Sequence, residues 1–268
     1  MAMTQGLIAG FSPGRARAAG EEGRGKFAVV ALIGLIELFK CNLRPFGLIS
    51  QGVDADGLGQ ATKFFSREME IMRKGAATRR EIIEKAAPIF NKKGFEGASL
   101  SDLMEATGLE KGGIYRHFES KEQLAEEAFD YAWNLAMERR MAGTETIDNS
   151  VDRLKQIVRN FLEKREGLVP GGCPLLNTAV ESDDGNAALR SKAKRAMTGL
   201  LARLESIVED GKKRGEIKGT VKTEKVAMLI ASTLEGSLMV NRLREKDTAI
   251  RVAVQHLEEY LESGVRAT

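Results

Sequence analysis

Residues 100–117 hold two amphipathic stretches, Leu100–Thr107 and Lys111–His117, separated by a turn at Gly108. Helices shorter than about 12–15 residues are marginal in water, so both must be held by their neighbours. Those neighbours are present. Upstream, Thr78–Lys92 sets Ile82, Ile83, Ala86, Ala87, Ile89 and Phe90 at spacings of three and four, one broad face of a helix that Gly94 stops. Downstream, Ser120 caps a longer helix running from Lys121 to about Arg140, with Gln123 three positions on. Ser99 caps the first short helix, with Asp102 completing a variant capping box. Two short helices joined by a tight turn between two longer ones form a helix-turn-helix. Leu100, Leu103 and Met104 then pack inward from the first short helix, and Leu109, Ile114 and Phe118 from the second.

Helical patterning continues to the end of the chain, with helices expected near 150–166, 174–182, 186–214, 223–244 and 247–262. Gly167–Gly172, Gly215–Thr220 and Glu245–Asp247 separate them, and no strand pattern or internal repeat follows residue 73. Aromatic residues make up only 6% and prolines number five, which favours an all-α protein over a sandwich or barrel. Two cysteines and two histidines, all far apart, leave neither a disulfide framework nor a zinc cluster, so no metal and no cofactor is expected. A reducing cytoplasm is the expected location.

The first 72 residues read differently, as a poorly structured extension. Residues 1–25 are rich in Gly, Ala and Arg, and residues 42–60 carry glycines without periodicity. Between them Phe27–Phe39 is apolar but falls short of the roughly 20 residues that span a bilayer. It is a short docking helix, a membrane-associated or targeting segment, or a stretch upstream of the true start. The last is preferred, with Met69 or Met72 as the initiator.

The second short helix carries the chemistry. With Ile114 and Phe118 inward, Lys111, Gly112, Gly113, Tyr115, Arg116 and His117 face outward, small or polar enough to enter a major groove about 12 Å wide. Two consecutive glycines cost about 1 kcal/mol each against alanine in a helix; close approach to another surface accounts for them. Lys111 and Lys121 flank this helix, and the free N–H groups at the Ser120 helix start attract phosphate. Arg116 can pair bidentately with a guanine. Simpler roles stand beside these: Ser99 as a cap alone, Tyr115 packed under the helix, His117 as a cap, Lys121 as a solvated surface residue. Residues 73–121 hold ten Lys/Arg and seven Asp/Glu, so binding rests on placed charges more than on net charge.

The run GFEGASLSDLMEATGLEKGGIYRHFESKEQL, Gly94–Leu124, resembles the signature of TetR-type (tetracycline-repressor) regulators. The resemblance covers roughly Thr78–Leu124; the rest matches only in helix number and length. It implies an N-terminal three-helix helix-turn-helix DNA-binding domain over 73–121 and a C-terminal helical ligand-binding and dimerisation domain over 122–268. It places Ser99, Lys111, Tyr115, His117 and Lys121 at phosphate contacts and the Lys111–Arg116 surface at base edges. It also implies a homodimer through residues 223–262 and a palindromic operator in double-stranded DNA. From the residues alone, the mixed large and small side chains of 226–240 suit either that interface or an ordinary core helix.

No catalytic constellation is found after residue 140, so no enzyme is expected. An apolar effector pocket is expected around Trp133, Phe161, Leu176, Met197 and Leu201, with a polar rim of Asn177, Thr178 and Glu181. Cys173 precedes Pro174 at a helix start, where a thiol pKa can fall; it is either an electrophile or redox sensor or a small buried hydrophobe. The resulting expectation is a transcriptional repressor released from its operator by a small molecule or electrophile, the alternative being control by a partner protein.

Overall fold

A computed structural model describes residues 55–163, 169–183 and 185–268, with side chains from residue 66 onward. The chain divides into two compact units, Met1–Lys74 and Gly75–Thr268. Most of the first, including Phe27–Phe39 and residues 42–54, lies outside the described residues.

Nine α-helices are described: α1 Ala55–Gly97, α2 Leu100–Thr107, α3 Lys111–Tyr115, α4 Lys121–Met141, α5 Ser150–Glu163, α6 Pro174–Glu181, α7 Ala187–Lys213, α8 Thr223–Arg244 and α9 Thr248–Tyr260, followed by one π-turn, Leu261–Val265. Among the described residues the only β pairing is an isolated bridge, Ile217 to Arg266, so the all-α expectation stands. α1 differs most from the sequence reading. It begins at Ala55, inside the stretch expected to lack structure, whereas periodicity marked a helix only from Thr78. Residues 69–74 are exposed, with Met69 at 55% and Ile71 at 54%, so no buried stripe announces a helix over these residues. Gly94 does interrupt it, at φ 76° and ψ 177°, a conformation open to glycine alone.

Within Gly75–Thr268 the small helices have their own core. Ile82 and Ala86 of α1, Leu103 of α2, Ile114 of α3, Phe118 and Leu124 pack together, with Leu100, Met104 and Leu109 around them. The larger core joins α4, α5, α7, α8 and α9. Val151, Leu154, Ile157 and Val158 of α5 are wholly buried, and Leu200, Leu204 and Val208 repeat along α7 at the helical period. Burying each such side chain is worth about 1.5–3 kcal/mol. α4 serves both cores, giving Leu124 to the first and Ala125 and Phe129 to the second.

α8 has two apolar faces. Val226, Ala227, Ile230, Ala231 and Leu234 are buried inward, while Met228, Leu229, Met239 and Leu243 stay exposed, Leu243 at 78%. Val252 of α9 is likewise exposed, at 62%.

Candidate nucleic-acid interface and adjoining cleft

The capping box at the start of α2 forms as the sequence indicates. The Asp102 backbone N–H donates to Ser99 Oγ at 3.1 Å, and the Ser99 N–H donates to Asp102 Oδ2 at 2.9 Å. Lys93 Nζ donates to Asp102 Oδ1 at 2.7 Å. That ammonium, with the Ser99 bonds, lowers the Asp102 carboxyl to about 2. Gly108 closes α2 at φ 72° and sends its N–H to the Met104 carbonyl. Ser120 caps α4 by accepting from Gln123 N–H at 3.2 Å, while Gln123 Oε1 accepts from Glu119 N–H rather than from the cap.

These caps fix α3 with Ile114 inward and its outer surface open. Lys111, Gly112 and Arg116 are exposed, Gly113 and His117 half-buried, and Tyr115 is 38% exposed. Tyr115 therefore does not pack beneath the helix; Lys111 Nζ lies 5.9 Å from its ring centroid. Nothing stands within 4 Å of a Cβ built on Gly112, so its smallness answers to no neighbour inside the chain. Gly113 does have one, Leu109 Cβ at 3.3 Å. Lys121 is half-buried and sits 4.5 Å over the Phe95 ring.

One residue of this surface escaped the sequence reading. Arg79 of α1 donates from Nε to the His117 carbonyl at 3.3 Å, covers the Phe118 ring at 4.5 Å and forks onto the Glu127 carboxylate of α4. It ties the far end of α3 to both flanking helices.

A cleft of about 1090 Å³ opens among the ends of α1, α4, α6 and α8. Of the residues expected around an effector pocket, Phe161, Cys173, Leu176, Asn177 and Glu181 line it. Thr178 lines instead a cavity of about 20 Å³ beside it, to which Glu181 also contributes. Trp133, Met197 and Leu201 do not reach the cleft: Trp133 is buried in the larger core, and Met197 and Leu201 pack against it. Their helical faces are apolar because they face the core, which periodicity cannot distinguish from a pocket wall.

The cleft also holds a cluster that no local pattern signalled. Arg140, at the end of α4, is buried with its guanidinium 4.3 Å from the Phe161 centroid and 5.1 Å from that of Trp133. Its Nη2 donates to Cys173 Sγ at 3.4 Å and stands 3.1 Å from Glu235 Oε1, an ion pair out of line for a hydrogen bond. Cys173 is the cap residue of α6, as expected, but the helix start does not activate it. Burial pushes its thiol up to about 11; Arg140 pulls it down, and the Glu235 carboxylate raises it further. The reactive-thiol expectation is thereby corrected: this is a buried, neutral thiol.

The loop before α6 is clamped to α1. Asn91 Nδ2 donates to the carbonyls of Pro170 and Gly172, both at 3.1 Å, and Asn177 Nδ2 donates to the Asn91 and Gly171 carbonyls at 3.0 and 2.9 Å. Arg242 Nη1 of α8 donates to Asn177 Oδ1 at 2.8 Å. Glu181 Oε1 accepts from the Glu96 N–H at 3.1 Å, just past the Gly94 break. A hydrogen-bonded path therefore runs from the cleft to the helix that carries Arg79.

Among the described residues, no helix is long and apolar enough to cross a membrane. Residues 82–128 match the family described as bacterial regulatory proteins, tetR family, and residues 150–257 match the tetracyclin repressor-like, C-terminal domain. The crystal structure of a TetR transcriptional regulator from Chloroflexus aurantiacus J-10-FL is 43% identical, covering 73% of this chain and 100% of that one with a TM-score of 0.70. The HTH-type transcriptional repressor DhaR of Mycobacterium sp. (strain GP1) is 24% identical over 62% of this chain and 85% of its own length. The IcaR negative transcriptional regulator of the biofilm operon icaADBC in Staphylococcus aureus (strain Newman) is 32% identical over 86 residues, 31% of this chain and only 44% of its own length.

Proposed function

The chain belongs to the TetR family of transcriptional regulators, and on that premise we propose that it is a cytoplasmic DNA-binding repressor released from its operator by a small molecule. The observation that carries this reading is the exposed face of α3, with Lys111, Gly112, Tyr115 and Arg116 outward over a buried Ile114. In this reading residues 73–121 form the DNA-binding domain and residues 122–268 the effector and dimerisation domain. Lys111 and Lys121 hold phosphates, with Ser99, Tyr115 and His117 beside them, and Gly112, Gly113 and Arg116 meet base edges.

The exposed apolar side chains Met228, Leu229, Met239 and Val252 support a homodimer through residues 223–262. Two-fold symmetry then calls for a palindromic operator with half-sites about 34 Å apart. The cleft is the effector site, and the Arg242–Asn177–Asn91 bonds connect it to α1. A ligand releases DNA to the extent that it binds better to a conformer whose α3 helices miss that spacing.

The test is operator binding by fluorescence anisotropy on the DNA upstream of the protein's own gene, across a salt series. Lys111→Ala and Lys121→Ala should each weaken binding to every sequence alike and flatten the salt slope by about one unit. A change in sequence preference with an unaltered slope overturns the assignment of these lysines. No binding above that to random DNA overturns the repressor reading.

A further inference from the structure

We propose that the cleft takes an apolar organic molecule bearing a carboxylate, and that Arg140 and Asn241 receive the carboxylate oxygens. This rests on the reading of the cleft as the effector site.

Two buried polar atoms of cleft-lining residues lack a hydrogen-bond partner, Arg140 Nη1 and Asn241 Nδ2. Both are donors. Their residues are 7% and 6% exposed, so the unmet bonds are not discharged by bulk water. The orientation of the Asn241 amide follows from its other half: Oδ1 accepts from the Ala249 and Ile250 N–H groups at 2.9 and 3.3 Å, which leaves the NH₂ as the unpaired end. A head group that answers both atoms must accept hydrogen bonds, and a guanidinium prefers a carboxylate above neutral acceptors.

The same cluster disfavours a cationic ligand. The two aromatic rings that could cradle one, Trp133 and Phe161, already hold the Arg140 guanidinium. The Glu235 oxygens also lack hydrogen bonds, but Glu235 does not line the cleft, and its carboxylate faces Arg140. Of the other ionisable side chains that line the cleft, Lys92, Lys93, Arg139, Arg242 and Lys246 outnumber the acidic Glu181, Glu245 and Asp247. Ala132, Ala136, Leu176 and Leu238 supply apolar wall for the body of the molecule. Both donors lie under the cleft surface, so the carboxylate reaches them by pressing into the wall.

Trp133 is the only tryptophan in the chain, and its place against Arg140 makes its fluorescence a direct reporter. The full-length protein is titrated with decanoate, 2-naphthoate, decanol and decylamine. The expected result is a saturable change in emission, with at least one carboxylate bound at least tenfold more tightly than decanol, and decylamine weakest. Asn241→Asp keeps an oxygen for the α9 N–H groups and puts a negative charge in place of the donor. It should weaken the carboxylate at least tenfold and shift decanol less than twofold. Decanol or decylamine binding as well as both carboxylates overturns the proposal; so does an unchanged carboxylate affinity in Asn241→Asp, or no carboxylate binding below millimolar concentration. Operator binding is measured separately without ligand. Intact operator binding beside failed carboxylate binding refutes this inference alone, and the converse refutes the repressor reading alone.

Discussion

Arg79→Met isolates the tie at the end of α3. Methionine keeps the apolar stem but removes three contacts. The guanidinium over Phe118, 4.5 Å from the centroid, is worth about 0.5–1 kcal/mol at a partly exposed site. The bond to the His117 carbonyl has a charged donor but is long at 3.3 Å, so it falls near 0.5–1 kcal/mol, the low end for its class. The fork onto Glu127 joins side chains 34% and 27% exposed, and such pairs contribute about 0.5 kcal/mol. The loss is about 2 kcal/mol, or roughly 4–8 °C in Tm for a unit of this size. Glu127→Gln keeps an acceptor and loses only the charge, so it should cost about 0.5 kcal/mol. Thermal unfolding followed by circular dichroism reads both. Operator affinity should fall with Arg79→Met while the salt slope stays unchanged, because Arg79 positions α3 without touching phosphate. If Glu127→Gln costs as much as Arg79→Met, the ion pair dominates and the reasoning fails. A loss below about 0.5 kcal/mol for Arg79→Met refutes it as well.

Gly171→Ala should destabilise by at least about 2 kcal/mol, since φ is +121° and the new Cβ would stand 2.6 Å from the Asn91 carbonyl oxygen; an unchanged urea midpoint would falsify the account of the clamp on α1. The Cys173 thiol titrates near 9.0 unfolded and about 11 folded, so its contribution is complete below pH 9 and lost as pH rises through 11. Cys173→Ala should therefore flatten the fall in stability between pH 9 and 11, and native Cys173 should resist alkylation at pH 8 until denaturant is added. Rapid modification of the native protein would return the thiol to the list of sensors.

Sequence alone determined the local structure of the recognition module. The Ser99 and Ser120 caps, the Gly94 and Gly108 stops and the inward Leu103, Ile114 and Phe118 are read within a few residues of chain, and the structure repeats them. α8 was bounded to the residue, Thr223–Arg244, because its pattern and flanking breaks are equally local. The part of α1 before Thr78 was missed for the same reason: none of residues 66–74 is buried, and periodicity detects only helices that bury one face. What tertiary structure decided is which polar groups meet. Arg79 and Glu127 lie 48 positions apart, Asn91 and Asn177 86, and Arg140 and Cys173 33. Side chains joined over such separations share no period, cap or spacing. Cys173 shows the consequence most directly, since its place at a helix start argues for a lowered pKa and its burial beside Glu235 imposes a raised one. Burial outweighs the helix terminus because desolvation acts on the whole thiolate charge, while the helix end offers only a partial one.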